Sequence, residues 1–290
     1  MIKIDIKSLI ALMRPKQWTK NLFVFGAVLF SGNFVSKDLF LANILVFIMF
    51  CLASSSIYVL NDIIDVEKDK LHPVKKFRPI ASGKVSKLQG IILDIVLFLI
   101  ILIFTYRFNF EVLIVILVYI VMNIFYSFIL KNVVIIDVMV ITAGFVLRIE
   151  SGSIATNVEL SPWIILCTIL LSLFLGLNKR KSEIVALKSD SVKTRKILKE
   201  YSVELIDKML TIVTPSILMA YCLYTFNSTQ SKSMMFTIPF VLYGIFRYQY
   251  LMETQNIGGK PEDVFTKDKA FLVNIICWFL VVVCVIYFKI

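Results

Sequence analysis

Three carboxylates and an amide crowd together at Asn61, Asp62, Asp65 and Asp69, where residues 61–83 read NDIIDVEKDKLHPVKKFRPIASG directly after an apolar block. Asn61, Asp65 and Asp69 are spaced four apart. A helix continuing past the block therefore stacks them on one face, with neighbouring Cβ atoms about 5–6 Å apart. Asp62 flanks that face one turn before Asp65. Like charges at this spacing repel, so a cation belongs between them. Mg2+ suits the set, because it takes hard oxygen ligands, commonly one or two carboxylates plus substrate phosphates. Lys75, Lys76 and Arg78 follow in the same loop and offer charge-assisted hydrogen bonds to the remaining phosphate oxygens. A metal bridging Asn61, Asp62, Asp65 and Asp69 to a phosphorylated substrate accounts for the acids and the basic stretch together. A solvated helix end, with Lys68 and Lys70 as partners, is the plainer account of any single Asp-x-x-x-Asp.

Holding these groups at a membrane boundary is a task for the rest of the chain. Its 290 residues are 59% hydrophobic and 18% charged, with a mean hydropathy of +0.86, well above the roughly 45–50% apolar content of a soluble domain. The excess gathers into blocks near the roughly 20 residues that one helical crossing requires. The expectation is an all-α, polytopic membrane bundle of about nine transmembrane helices, near residues 21–36, 40–60, 88–106, 111–130, 132–149, 161–177, 211–227, 233–251 and 270–288. The first block is short for a span, so its helix is expected to begin further back, near Pro15. No cleavable signal peptide is expected, since SLIALM is short and is followed by Arg14 and Lys16. No linker or soluble domain is visible, so residues 1–290 are read as one domain.

Charge sets the expected orientation. With the N-terminus inside, 26 of the 31 Lys and Arg residues fall in the gaps of one side, which places the N-terminus in the cytoplasm and the C-terminus outside. The net charge of +11 then follows from topology and attraction to anionic lipid; no nucleic-acid partner is expected. Cys51, Cys167, Cys222, Cys277 and Cys284 all lie in apolar blocks without metal-ligand spacing and read as small hydrophobes.

The segment Asn-x-x-x-Asp-x-x-x-Asp resembles the first aspartate-rich motif of the UbiA superfamily of intramembrane prenyltransferases. RPKQWTKN at residues 14–21 and HPVKKFRPIASG at residues 72–83 are similar to the branch that transfers phosphoribose from phosphoribosyl diphosphate to decaprenyl phosphate. In the aromatic prenyltransferases a second Asp-x-x-x-Asp stands in a later loop. Here residues 176–183 read GLNKRKSE, with Lys179, Arg180 and Lys181 before a lone Glu183. Handling a sugar diphosphate and a lipid phosphate together calls for more positive charge, which Lys and Arg supply directly. Positive-inside topology is the competing account of the triplet. Tyr126 and Lys131 match the Tyr and Lys that superfamily members place near the diphosphate, and Lys20 with Asn21 falls in the family pattern and is placed to reach a phosphate. PEDVFTKD at residues 261–268 resembles a late loop of the same branch, with no role assigned.

The resemblance implies a Mg2+-dependent transferase of the cell membrane with its active site on the cytoplasmic side. Asp65, Asp69 and Asn61 form its catalytic centre, and Lys20, Lys75, Lys76, Arg78, Tyr126, Lys131, Lys179, Arg180 and Glu183 bind substrate phosphate. Its substrates are phosphoribosyl diphosphate and a polyprenyl phosphate. The alternative is transfer from a prenyl diphosphate to an aromatic or quinone precursor, against which the missing second acid pair counts. A transporter is the distant alternative, favoured only by Asp94 and Asp137 within or near spans. His72 precedes a proline and suggests a turn more than a base. Arg148, with Glu150 nearby in sequence, reads either as a structural pair or as an interior group.

Overall fold

The computed structural model describes residues 5–32, 36–72, 74–189, 196–227, 231–255, 259 and 261–288. Chain in hydrocarbon must satisfy every backbone N–H and C=O internally. Accordingly the apolar blocks fold as helices, and no strand occurs among the described residues. Helix α1 (Ile6–Leu12) is followed by a 3-10 segment, Pro15–Phe25, that runs directly into α2 (Gly26–Phe30). Next come α3 (Lys37–Ile64), the short α4 (Val66–Lys70), α5 (Lys87–Phe108), α6 (Phe110–Phe128), α7 (Ile136–Thr156), α8 (Pro162–Ser189) and α9 (Val203–Phe226). A second 3-10 segment, Lys232–Thr237, leads into α10 (Ile238–Gln255), followed by α11 (Pro261–Lys267) and α12 (Lys269–Phe288).

Seven of these helices, α3, α5 to α9 and α12, are long and apolar enough to cross a membrane, so the chain is a multi-pass membrane protein. The two other expected blocks are composites of a 3-10 segment and an α-helix. The first does begin at Pro15. The other carries Arg247, Gln249 and Glu253 within α10, which dilutes its apolar character. Ser86 and Gln89 form a capping box that starts α5, Asn109 caps α6 through Val112 N, and Ser202 caps α9 through Leu205 N. Side-chain caps of this kind satisfy N–H groups that a helix start leaves unpaired. The five cysteines are free. Cys51 is buried, Cys167, Cys222 and Cys277 are half-buried, and Cys284 is exposed.

The C-terminal ends of α3, α6 and α10, the later part of α8 and the start of α9 meet at one end of the bundle, hereafter the charged end, where ion pairs join Lys131 to Asp65 and Lys181 to Asp207 and Glu253. Beneath it, Leu12, Val59, Val66, Ile80, Val85 and Leu97 pack as one buried cluster and support the loop that follows α3.

The 3-10 segment has a specific use. Side chains three apart eclipse in such a helix, so Trp18, Asn21 and Val24 form one row. Trp18 Nε1 donates to Ser55 Oγ at 3.1 Å, Asn21 Nδ2 donates to Ser54 Oγ at 3.3 Å, and Val24 is fully buried. This row lies against α3 and, through Val24, against Gly152 of α7. A Cβ at Gly152 falls inside the van der Waals shell of Val24 O and close to Asn43 Oδ1. Backbone cannot yield as a flexible side chain does. Gly152→Ala is therefore expected to push α7 off the 3-10 segment at a cost of about 1–3 kcal/mol, read as a lower Tm of purified protein in detergent. An unchanged Tm removes this close approach as a constraint.

Candidate active site

Helix α3 stops at Ile64 because Asp65 leaves helical geometry, at φ −89° and ψ 9°. The hydrogen-bond repeat continues nonetheless, with Asp65 N donating to Asn61 O at 2.9 Å and Asp69 N donating to Asp65 O at 2.8 Å. The break turns the carboxylates different ways. Asp62 and Asp69 are 2% and 3% exposed, and both accept from the same Arg78 nitrogen, Nη1, at 3.1 and 2.6 Å. Arg14 also donates to Asp62, and its guanidinium stacks on Tyr58, 4.9 Å from the ring centre. Asp65 faces elsewhere, 3.6 Å from Lys131 Nζ and 3.7 Å from Lys68 Nζ.

The cation expected between the carboxylates is thus present as Arg78. Its place among the phosphate-binding loop residues needs restating, because buried acids require a partner and Arg78 is that partner for two of them. Asp62, expected among the metal ligands, is engaged by two arginines. Among the described residues no three His, Cys, Asp or Glu side chains form a complete metal cage. Mg2+ needs no such cage, since one or two carboxylates and substrate oxygens suffice. Asp62 and Asp69 already converge on one cationic nitrogen, so hard oxygens at this turn gather round a cation, and Asp65 would join them by turning from Lys131 and Lys68.

Around this centre, Lys20 Nζ donates to Gln17 Oε1 at 2.6 Å, Lys75 is half-buried, and Lys76 is exposed with its ammonium over Phe77. His72 Nδ1 accepts from Val74 N at 3.1 Å and Lys75 N at 3.2 Å. Burial and the neighbouring Lys75 hold its imidazole below the usual histidine range. A neutral ring fixed as an acceptor is the turn-former that its position before Pro73 suggests.

The second loop departs from the picture of a basic surface triplet. Helix α8 continues unbroken through it, so consecutive residues point about 100° apart. Lys181 reaches Asp207 at 2.7 Å and also Glu253, whereas Arg180 points into the bundle and is fully buried. There Nε donates to Asp137 Oδ2 at 2.6 Å, Nη1 to Glu183 Oε2 at 2.5 Å and Nη2 to Tyr126 OH at 3.3 Å. Glu183 accordingly pairs with Arg180, three residues earlier on the same helix. Tyr201 OH donates to the other Asp137 oxygen at 2.7 Å and accepts from Ile135 N at 2.7 Å. Burial and the Asp137 hydrogen bond push the Tyr201 phenol well above its usual range, which keeps its proton in place. Ile135 sits at φ 70°, a conformation a β-branched residue adopts only when neighbours enforce it.

Asp137 and Tyr201 are missing from the sequence reading of the site. A lone acid inside an apolar block signals a buried partner, so Asp137 was detectable; nothing in the sequence marks Tyr201. Asp94 accepts from Ser56 Oγ at 2.6 Å, and with Asp137 bound by Arg180 both intramembrane acids are used in helix contacts. Arg148 does not pair with Glu150. It is buried inside the bundle and donates to Asn21 Oδ1, Gly144 O and Tyr119 OH.

The profile of the UbiA prenyltransferase family matches residues 21–275. The decaprenyl-phosphate phosphoribosyltransferase of Mycolicibacterium smegmatis is 31% identical, over 98% of this chain and 94% of its own. That of Corynebacterium glutamicum is 32% identical, over 96% and 86%. Among solved structures, a UbiA homolog from Archaeoglobus fulgidus bound to GPP and Mg2+ superposes with a TM-score of 0.72 at 17% identity, covering 97% of this chain and 99% of that one. A structure of digeranylgeranylglyceryl phosphate synthase gives 0.70 at 18% identity, covering 98% and 99%. At these identities the two structures establish the fold.

Arg180 and Asp137 supply the test of the second centre. Asp137→Ala leaves a buried guanidinium with a half-exposed Glu183 and is expected to cost about 3–5 kcal/mol. Joint replacement, Arg180→Met with Asp137→Leu, removes both charges and is expected to melt above the single variant. A Tm for Asp137→Ala equal to that of the parent chain shows that the pair carries no weight.

Proposed function

This chain belongs to the UbiA prenyltransferase family, and on that premise we propose that it transfers phosphoribose from phosphoribosyl diphosphate to a polyprenyl phosphate of the decaprenyl type, releasing diphosphate. The observation that carries the reading is the contrast between its two loops. The first gathers Asp62, Asp65 and Asp69, while residues 176–183 hold no Asp-x-x-x-Asp pair, and their Arg180 and Lys181 are matched by Asp137, Glu183, Asp207 and Glu253. Full-length likeness to two enzymes named for that transfer supports it.

In this proposal Asp65 and Asp69, with Asn61 beside them, hold Mg2+, which when bound neutralises the departing diphosphate. Arg78 spans Asp62 and Asp69 and is partly open to solvent, so it can shift one hydrogen bond to a diphosphate oxygen while Arg14 keeps Asp62 neutralised. Lys131 contacts Asp65 only at 3.6 Å and is free to turn toward the same oxygens. Lys75 and Lys76 border the loop, Lys20 lies beside the mouth on the 3-10 segment, and Lys179 stands on α8; each adds positive charge where two phosphorylated substrates meet. Tyr126 and Glu183 hold Arg180 in place beside Asp137, which fixes α8 behind the site. The bond between the anomeric carbon and the diphosphate oxygen breaks, and an oxygen of the lipid phosphate bonds to that carbon. An ionised phosphate nucleophile needs no general base, which agrees with a histidine locked in a turn. Rate enhancement then comes from positioning and charge stabilisation.

The charged end is proposed to face the cytoplasm, with the C-terminus outside. Cysteine labelling in intact cells is expected to modify a cysteine placed at position 75 only after permeabilisation. Labelling from outside overturns the orientation and the assigned face together.

The function is tested with purified protein, labelled phosphoribosyl diphosphate and polyprenyl phosphate, beside a prenyl diphosphate with an aromatic acid. Consumption of the first pair alone is expected. Asp65→Ala and Asp69→Ala are each expected to abolish turnover while leaving insertion intact, and a chelator is expected to abolish activity until Mg2+ is restored. Exclusive consumption of the second pair refutes the proposal, and full activity in chelator refutes the metal role.

A further inference from the structure

Two buried cations occur among the described residues, and they are treated differently. Arg180 is matched by Asp137 and Glu183. Arg148, 6% exposed, is matched by no carboxylate among the described residues. Its Nε donates to Asn21 Oδ1 at 2.7 Å, Nη1 to Gly144 O at 2.6 Å and Nη2 to Tyr119 OH at 2.9 Å. All three acceptors are neutral. A guanidinium carries five N–H donors, so one hydrogen on each terminal nitrogen has no partner among the described residues. The rings of Tyr119, Phe145 and Phe50, at 4.7, 5.5 and 5.6 Å, surround it. Aromatic faces relieve part of the cost of desolvating a cation, but a full buried charge calls for an anion.

The guanidinium lies within reach of the charged end. Its side chain folds back one turn along α7 to Gly144 O, toward Asp137 and the loop that carries Lys131. On α6 it meets Tyr119, seven residues and so about 10 Å of helix rise from Tyr126, which contacts Arg180. Along α3, Ser55, Ser54 and Cys51 continue the line of Asp62 and Tyr58 inward, and the 3-10 row of Trp18 and Asn21 bonds to them. A polar track thus joins the carboxylate centre to an unmatched cation deeper in the bundle.

We propose that Arg148, with Tyr119 and Asn21 fixing its orientation, is an anion subsite at the inner end of this track and receives a phosphomonoester group. The proposal rests on the function above for the identity of that group. The 5-phosphate of phosphoribosyl diphosphate and the phosphate of the lipid both have this chemistry, and the carboxylate centre takes the diphosphate at the other end of the track.

Asn21→Asp is the discriminating variant. It keeps the acceptor oxygen and the guanidinium while giving Arg148 an internal counter-ion. Calorimetric titration of full-length protein in phosphatidylcholine nanodiscs uses three probes: ribose 5-phosphate, farnesyl phosphate and magnesium pyrophosphate. One phosphomonoester probe is expected to weaken about 10- to 100-fold in Asn21→Asp and in Arg148→Gln, and less in Arg148→Lys. Magnesium pyrophosphate, held at the carboxylates, is expected to bind as before. Loss confined to ribose 5-phosphate identifies the sugar phosphate, and loss confined to farnesyl phosphate identifies the lipid. Should Arg148→Gln not fold, Asn21→Asp carries the test with the cation intact. Equal binding of both phosphomonoesters by Asn21→Asp and the parent chain, or binding of neither by the parent, overturns the subsite and makes Arg148 a structural staple. Turnover separates this result from the function. Arg148-dependent binding without transfer sinks the function alone, and transfer with unaltered binding and KM in Asn21→Asp sinks the subsite alone.

Discussion

Arg78 Nη1 lies between Asp62 and Asp69, and this single bridge ties the end of α3, the short α4 and the basic loop into one unit. Two carboxylates under 5% exposed at the margin of a low-dielectric bundle cannot stand unpaired. Arg14 adds a second cation to Asp62, which draws the start of the 3-10 segment onto the same centre. The consequence is a site assembled from three separate stretches of chain before any substrate is considered. Its charges are balanced by groups that can exchange partners, since Arg14 and Arg78 are partly exposed.

The second charged centre has the opposite character. Arg180 and Asp137 are both sealed from solvent, and Tyr201 closes the remaining Asp137 oxygen while gripping Ile135 N. Breaking such a pair leaves an uncompensated charge, so the centre behaves as a fixed rivet between α7, α8 and the chain entering α9. That rigidity serves the open centre. The turn held by Tyr201 at Ile135 follows Lys131, whose ammonium faces Asp65. A closed ion pair holds the helices, while the carboxylates of the first loop keep cationic partners that are partly exposed.

Much of this was legible in the chain itself. Block length and the Lys/Arg asymmetry specify a polytopic helical bundle, because hydrocarbon leaves the backbone no other way to pair its polar groups. Four-residue spacing keeps Asn61, Asp65 and Asp69 in one hydrogen-bonded repeat, since spacing along one helix is a local property; the break at Asp65 nevertheless turns its carboxylate toward Lys131, away from the bridge of Asp62, Arg78 and Asp69. Two of the nine blocks were less regular than their composition suggests, as the 3-10 geometry of Pro15–Phe25 depends on packing its row against α3 and Gly152.

Which charge meets which was decided only by tertiary structure. A run of Lys179, Arg180 and Lys181 looks uniform in sequence, yet an unbroken α8 sends Arg180 to Asp137, 43 positions away, and Lys181 to Asp207 and Glu253. Arg78 reads as a loop cation, and its bridge between Asp62 and Asp69 is visible only in the folded chain. Arg148 reads either as a pair with Glu150 or as an interior group, and packing decides for the interior, where it meets Asn21, 127 positions earlier in the chain. Sequence fixes the type and local spacing of ionisable groups because those depend on one helix at a time. Their pairing depends on distances between helices, and only packing of the whole bundle sets those.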